Sequence, residues 1–249
     1  MIKKKWIWGI AAAAVLLTAA ILLLCTPDKK EPPKNPGALF QEYYNHKCQS
    51  YSVQNANLAK GQIVFIGDSI TDLYILDDHY ADLPLASYNR GIGGDTTAGV
   101  LDRLQVSIFD IQPSVVVLMI GSNDINGGID SDEILQRYEA IIDGIYTALP
   151  EVDLYCMSII PQNKDLETYT EIRVDKTTPV ILAINPRIQA LAESKGATYL
   201  DLFSLLADEN KMLIQEYSDD GIHLNNNGLA VWTALLKPYL IDSLAENAA

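Results

Sequence analysis

Length, composition and charge narrow the classes of protein to which this chain can belong. It has 249 residues, enough for one catalytic domain with an appendage, and 49% of them are hydrophobic, so a sizeable core can be buried. The formal net charge is −14, and so acidic a surface repels the phosphate backbone of nucleic acids, which we therefore do not expect as partners. The cysteines Cys25, Cys48 and Cys156 are odd in number and widely spaced, which argues against a disulfide framework and against a Cys-x-x-Cys site.

The N-terminal segment, residues 1–25, is typical of a membrane anchor with a basic tail. Three lysines at positions 3–5 precede an apolar run, residues 6–25, that has no charged side chain. A helix of that length, at ~1.5 Å per residue, spans the roughly 30 Å hydrocarbon core of a bilayer. A cleaved signal peptide would have a shorter apolar core, and a lipid-modified Cys25 would normally follow a small residue. We therefore predict an uncleaved single-pass anchor.

The positive-inside rule does not decide the orientation of this anchor, because three lysines lie on each side of the apolar run. The compact basic tail directly before the run is typical of a signal-anchor, which predicts that the large domain lies outside the cytoplasm at the cell membrane. Prolines among charged residues predict a semi-rigid linker over residues 26–37. Residues 38–249 are predicted to form one domain without internal repeats.

Short apolar runs alternate with longer helical segments through this domain. The predicted strands are Ile63–Ile66, Ser87–Asn89, Val115–Ile120, Leu154–Ile159 and Thr198–Leu200. The predicted helices are residues 38–58, 97–108, 131–148, 179–195 and 227–244, with Ser131 as an N-cap and Gly196 closing the helix before the last strand. The alternation predicts an α/β fold with a five-stranded parallel sheet covered on both faces, and functional motifs should begin where strands end.

Three of the predicted strands end in turns that could carry chemistry. The first ends at Gly67-Asp68-Ser69, where a serine hydroxyl is exposed, although a lone serine there is more often a helix cap. The second ends in the glycine-rich turn 91–97, whose spacing fails the dinucleotide-binding pattern at Thr96. The third ends at Gly121-Ser122-Asn123, where Asn123 either holds a turn or donates its amide to an oxyanion.

The C-terminal part of the domain contains Asp220-Gly221-Ile222-His223 directly before the last predicted helix. A carboxylate three residues before a histidine can hold the imidazole through Nδ1 and stabilise its protonated form. The other two histidines, His46 and His79, follow no predicted strand. Asn225 is interpreted as a helix cap.

The order of a serine, a glycine turn, an asparagine and an Asp-x-x-His resembles the GDSL-type (SGNH) hydrolases. Gly91-Ile92-Gly93-Gly94-Asp95-Thr96-Thr97 is most similar to the platelet-activating-factor acetylhydrolase-like members. The resemblance covers roughly residues 60–245 and implies a flavodoxin-like three-layer α/β/α sandwich. It also implies a nucleophile at Ser69, its acid and base at Asp220 and His223, and an oxyanion hole formed by Ser69, Gly94 and Asn123.

The resemblance implies a serine ester hydrolase that works through an acyl-enzyme and needs no metal or cofactor. The expected substrate is a short-chain carbohydrate or general O-acyl ester at the cell envelope. A lysophospholipase or thioesterase acting on lipid acyl esters is the first alternative, and a catalytically silent, anchored binding module is the second. Besides the ester substrate, the expected partner is the membrane, through the N-terminal helix, and no protein partner is evident.

Several residues near these motifs have two interpretations. Asp68 and Asp124 are expected to be hydrogen-bonding residues beside the site, and contact with the substrate is the alternative. Tyr74 and Tyr80 either pack in the core or line an acyl or sugar pocket. The segment 161–179 follows the fourth strand, and we expect it to overhang the site and to influence specificity.

Overall fold

The computed structural model of the protein describes residues 36–166 and 174–246. The predicted membrane anchor over residues 1–25, and the predicted linker as far as residue 35, lie outside these described residues. Within the described ranges, no helix combines the length and the hydropathy that crossing a lipid bilayer requires.

The elements alternate in type along the chain, as the sequence predicts. The strands are β1 (Ile63–Gly67), β2 (Ser87–Gly91), β3 (Val115–Met119), β4 (Asp153–Met157) and β5 (Thr198–Leu200). The α-helices are α1 (Pro36–Asn55), α2 (Ser69–Asp72), α3 (Asp77–Tyr80), α4 (Thr97–Asp102), α5 (Ser122–Asn126), α6 (Ser131–Ala148), α7 (Val174–Ser194), α8 (Phe203–Leu206) and α9 (Asn226–Glu246). A π-helical turn covers Gln105–Phe109, and a 3-10 turn covers Gln215–Tyr217.

The five strands form one parallel sheet in the order β2-β1-β3-β4-β5. Every residue of the central strand β3 is buried, which explains why its sequence is apolar at each position. The order reverses direction between β1 and β3, and in such sheets ligands bind beyond the carboxyl ends of the strands at this point. The predicted fold class, an α/β sandwich with a five-stranded parallel sheet, is confirmed.

The two faces of the sheet lie against two separate apolar cores, because successive strand residues point in opposite directions. One face packs on α4, α6 and α7, and its core includes Val64, Val116, Val100, Ile141 and Ile184. The other face packs on α3 and α9, and its core includes Phe65, Val117, Tyr80, Trp232 and Leu236. The sheet and these helices therefore form three layers, and burial of the apolar side chains between them stabilises the sheet from both sides.

Several predicted boundaries differ from those observed, among them the starts of α1 and α7 and the end of the helix predicted over residues 97–108. Helix α1 begins at Pro36 instead of residue 38, because proline is well suited to a first helical turn, where its missing N–H is not needed. Helix α7 begins at Val174, so Pro179 lies inside it and does not mark its start. The helix predicted over residues 97–108 ends early at Asp102, and the chain continues as the π-helical turn.

The prediction that Ser131 caps α6 is wrong. The cap is Asp130, whose backbone is extended and whose carboxylate accepts a hydrogen bond from the N–H of Asp132, so Ser131 is already the first helical residue. Aspartate is as good a cap as serine, and the two adjacent candidates cannot be separated by residue type alone. Gly196 follows α7 with a φ of +89°, as expected for a glycine that ends a helix.

Candidate active site

Ser69 lies immediately beyond the carboxyl end of β1, as the first residue of α2. The turn before it is tight: a Cβ on Gly67 would lie 2.2 Å from the carbonyl oxygen of Met119, so glycine is required there. Asp68 caps the helix by accepting a hydrogen bond from the N–H of Ile70 at 3.0 Å. This arrangement holds the Ser69 side chain at the edge of the sheet.

Asp220 and His223 lie in the loop before α9 and form a rigid local unit. One carboxylate oxygen of Asp220 accepts hydrogen bonds from the backbone N–H groups of Ile222 at 2.9 Å and His223 at 2.8 Å. The other lies 2.6 Å from Nδ1 of His223. Burial raises the pKa of Asp220, but the hydrogen bonds from His223 and Ile222 outweigh it, so the net shift is downward and the carboxylate stays ionised.

The two predicted regions meet at the sheet edge. Nε2 of His223 lies 2.8 Å from Oγ of Ser69, although the residues are 154 positions apart in sequence. A carboxylate, an imidazole and a hydroxyl therefore form one hydrogen-bonded chain from Asp220 through His223 to Ser69. In this chain the imidazole can accept the hydroxyl proton while the carboxylate stabilises the resulting positive charge.

Gly94 and Asn123 lie beside the same serine. Gly94 has a φ of +80° in the turn after β2, a conformation that favours glycine. Asn123 is in α5, and its amide donates one hydrogen bond to the carbonyl oxygen of Asp95 at 2.9 Å, a bond that uses only one of its two N–H groups. Both residues line a cavity of about 270 Å³, together with Ser69 and His223, and the remaining lining residues are Asp68, Ile70, Ser122, Asn126 and Ile222.

A buried ion pair that sequence reasoning missed supports this edge of the sheet. Nε of Arg103 lies 2.7 Å from the carboxylate of Asp95, and both side chains are inaccessible to solvent. Arg103 also donates to the carbonyl oxygens of Gly67 at 2.9 Å and Arg90 at 2.7 Å. The guanidinium thereby joins the ends of β1 and β2 to the turn that contains Gly94.

The structure decides between the two interpretations that the sequence allows for Asp124, Tyr74 and Tyr80, and it shows the surroundings of Asp68. Asp124 accepts hydrogen bonds from the N–H and hydroxyl groups of Thr97, so its role as a hydrogen-bonding residue beside the site is confirmed. Asp68 is buried, and one of its carboxylate oxygens has no hydrogen-bond partner in the described structure. Burial raises the pKa of Asp68 to about 7. Tyr74 and Tyr80 hydrogen-bond to each other in the core and do not line the cavity.

Two further predictions concern the loops around the site. Asn225 caps α9 as expected, since its side-chain oxygen accepts hydrogen bonds from the N–H groups of Asn227 and Gly228. In the described part of the segment 161–179, Gln162 donates to the side-chain oxygen of Asn126 at 3.2 Å, and Asn126 lines the cavity. Among the described residues, no group of three or more His, Cys, Asp and Glu side chains is arranged to hold a metal ion.

Comparison with known proteins identifies the family. A model of the GDSL-like Lipase/Acylhydrolase family matches residues 65–231. The chain is 30% identical over 191 residues to platelet-activating factor acetylhydrolase IB subunit alpha1 of Pongo abelii, an alignment that covers 75% of this chain and 78% of that protein. It is 30% identical to the subunit alpha1 of Bos taurus, but that alignment spans only 62% of the bovine protein.

Solved structures of similar proteins agree with the fold. A protein from Streptococcus pneumoniae described as a platelet activating factor is 27% identical, with a TM-score of 0.76 over 90% of this chain and 99% of that one. A GDSL-like lipase from Bacteroides thetaiotaomicron is 23% identical, with a TM-score of 0.71 over 81% of this chain and 99% of that one. The resemblance predicted from the sequence motifs is confirmed. The chain belongs to the GDSL-like lipase/acylhydrolase family, a family of carboxylic ester hydrolases.

Proposed function

We propose that this protein hydrolyses O-acyl esters, with Ser69 as the nucleophile and Asp220 and His223 as its acid and base. His223 accepts the Ser69 hydroxyl proton while Oγ attacks the ester carbonyl, and Asp220 stabilises the imidazolium that forms. The imidazolium then gives its proton to the departing alcohol, which leaves an acyl group on Ser69. Water activated by the same imidazole releases the acid and regenerates the serine.

The negative charge that develops on the ester oxygen needs donors that are already in place. We propose the backbone N–H groups of Ser69 and Gly94 and the second side-chain N–H of Asn123 for this role. All three residues line the same cavity. The hydrogen bond from Asn123 to the carbonyl oxygen of Asp95 orients the amide before the substrate arrives, so little reorganisation is required during the reaction.

The observation that carries this proposal is the continuous hydrogen-bonded chain, 2.6 Å from Asp220 to His223 and 2.8 Å from His223 to Ser69. Both distances are within the range of ordinary hydrogen bonds, so proton transfer requires no rearrangement of the described side chains. A catalytically silent binding module, the remaining alternative from a different functional class, would not need this alignment.

Hydrolysis of p-nitrophenyl acetate by the full chain tests the proposal. Ser69→Ala should lower kcat by roughly 10⁶, to the background rate, because the nucleophile is lost. Asn123→Ala should lower kcat by about 10²–10³, because two oxyanion donors remain. Ser194→Ala, an exposed serine at the end of α7, is the matched control and should behave as wild type. Turnover by Ser69→Ala equal to wild type would refute the proposal.

We propose a short acyl group, such as acetyl, as the one transferred. The cavity of about 270 Å³ lies below the roughly 300–1,000 Å³ that is typical of pockets for drug-sized ligands. The relatives from Pongo abelii and Bos taurus are named acetylhydrolases, which also favours a short acyl group. A carbohydrate or general O-acyl ester is therefore favoured over the lysophospholipase or thioesterase alternative, which would need room for a long chain.

We also propose that residues 1–25 hold the enzyme at a membrane, with the catalytic domain on the extracytoplasmic side. The support is the uncharged run 6–25 and the basic tail before it. The full chain should remain with membranes after an alkaline carbonate wash, and a chain that lacks residues 1–35 should be released. Recovery of the full chain in the wash would contradict the anchor.

A further inference from the structure

Helix α1 lies before the residues that match the family model, yet it is hydrogen-bonded to the turn that contains Gly94. The hydroxyl of Tyr51 donates to the carbonyl oxygen of Gly91 at 2.5 Å, and the hydroxyl of Tyr44 donates to the carbonyl oxygen of Gly99 at 2.8 Å. The two ends of the segment 91–99 are thus held by one helix.

The middle is held by Asp72, which lies on α2 one turn after Ser69. One carboxylate oxygen of Asp72 accepts hydrogen bonds from the N–H of Gly93 at 3.0 Å and from the hydroxyl of Tyr43 at 2.5 Å. The other accepts a hydrogen bond from Nζ of Lys47 at 2.6 Å. Asp72 therefore connects α2 with the turn that contains Gly94 and with α1.

Lys47 is well placed as a countercharge. Its side chain is 23% exposed and that of Asp72 is 16% exposed, so the pair is largely shielded from water. Nζ of Lys47 also lies over the rings of Tyr43 and Tyr51, at 6.0 and 5.3 Å from their centroids. These contacts restrict the lysine to the position in which it neutralises Asp72.

We propose that Asp72 is a positioning residue for the oxyanion hole, and that Lys47 neutralises its carboxylate so that the charge does not oppose the oxyanion. The inference rests on the proposed function. Gly93 precedes Gly94, so the hydrogen bond from the Gly93 N–H holds the 92–93 peptide, and this limits the directions in which the adjacent 93–94 peptide can present the Gly94 N–H. Such a donor contributes to catalysis when its direction is set in advance. A carboxylate on the same short helix as Ser69 would, without Lys47, disfavour the negative charge of the transition state.

Substitution of Asp72 separates positioning from simple stabilisation of the fold. Asp72→Ala should lower kcat for p-nitrophenyl acetate by about tenfold or more and change KM by less than about twofold, because the oxyanion forms only in the transition state. Asp72→Asn keeps an acceptor for the Gly93 N–H and should stay within about threefold of wild type. Asp82→Ala is the matched control, since Asp82 also pairs with a lysine, Lys237, at 2.7 Å but accepts no bond from the glycine turn.

Lys47 gives a second test that does not depend on the folding of Asp72→Ala. Lys47→Met should lower kcat because it leaves the Asp72 carboxylate, which is largely shielded from solvent ions, uncompensated beside the oxyanion. The double variant Lys47→Met/Asp72→Asn, which lacks both charges, should recover most of the activity. Lys237→Met, with a lysine of similar exposure, is the control and should keep the wild-type kcat.

The outcomes distinguish this inference from the proposed function. If Ser69→Ala is inactive while Asp72→Ala and Lys47→Met keep the wild-type kcat, the positioning role is refuted and the nucleophile stands. If Asp72→Ala lowers only the melting temperature, Asp72 is structural and the inference fails. If Lys47→Met is impaired but the double variant is no better, the countercharge role fails. Turnover by Ser69→Ala at the wild-type rate would refute the function itself.

Discussion

Asp68 shows how a single side chain beside Ser69 can lower stability. Its carboxyl is buried, one of its oxygens has no hydrogen-bond partner, and the nearby acids Asp95 and Asp124 further disfavour its ionised form. The hydrogen bond to the Ile70 N–H offsets this only in part. Burial dominates and raises the pKa to about 7, so the group binds a proton near neutral pH.

This shift predicts a pH-dependent effect of Asp68→Asn on stability. Between the ordinary carboxyl pKa of 3.8 and the folded value of about 7, the unfolded chain is ionised at this position and the folded chain is neutral. Wild-type stability should therefore fall as the pH rises through this window and stay lowered above it, a loss on the order of a few kcal/mol that asparagine avoids.

Urea denaturation of both proteins between pH 4 and pH 8 measures this effect. The free energy of unfolding of Asp68→Asn should increase relative to that of wild type as the pH rises. The difference between the two proteins should level off above about pH 7. Asparagine keeps the oxygen that accepts the Ile70 N–H, so the helix cap is retained. A difference between the two proteins that does not change with pH would contradict this account of Asp68.

At the scale of elements, the Asp95–Arg103 pair joins β1, β2 and α4. Arg103→Met would leave the Asp95 carboxylate buried and unpaired, and it would remove the donor for the carbonyl oxygens of Gly67 and Arg90. We expect this variant to lose about 3–5 kcal/mol of stability, as when one partner of a buried ion pair is removed.

Thermal unfolding of three variants checks this expectation. Arg103→Met should have a melting temperature lower by roughly 6–20 °C, and Arg103→Met/Asp95→Asn should recover part of that loss because no charge is left unpaired. Arg187→Met is the control, because its pair with Asp132 is exposed and should contribute little. An Arg103→Met protein as stable as the control would show that the buried pair does not hold these elements together.

The sequence predicts most of the secondary-structure elements, but it does not predict features that depend on contacts between distant residues. The five strands and four of the five long helical segments were predictable, because hydrophobic periodicity is a local property of the chain. The interruption after Asp102 was not, because the Arg103 side chain there bonds to the carbonyl of Gly67, 36 residues away. The cap at Asp130 was missed because its neighbour Ser131 is an equally good cap by type.

The predicted site depended on the order of motifs along the chain. Ser69, Gly94 and Asn123 each follow a strand, and a parallel sheet brings the ends of those strands to one edge. Asp72 and Lys47 could not be found in this way. Lys47 lies 25 residues from Asp72 on a helix that contains no recognisable motif, and only the folded structure brings the two together.

At the scale of the whole molecule, we propose that the size of the cavity beside Ser69 limits the acyl group of the substrate. We expect a cavity of about 270 Å³ to accommodate a short acyl group beside Ser69. A series of p-nitrophenyl esters from acetate to palmitate should therefore show the highest kcat/KM for the two- to four-carbon acyl groups. We expect a decrease of about tenfold or more at eight carbons, because the extra methylenes are not accommodated. A preference for the long esters would instead favour the lysophospholipase or thioesterase alternative.

The account as a whole depends on the activation of the Ser69 hydroxyl by His223. Labelling of the full chain with a fluorophosphonate, followed by mass spectrometry of its peptides, measures this most directly, because such probes react with an activated serine. We predict a single adduct on the peptide that contains Ser69, absent from Ser69→Ala and formed at least about 100-fold more slowly in His223→Ala. An adduct on a different residue, or equal labelling of wild type and Ser69→Ala, would contradict the account.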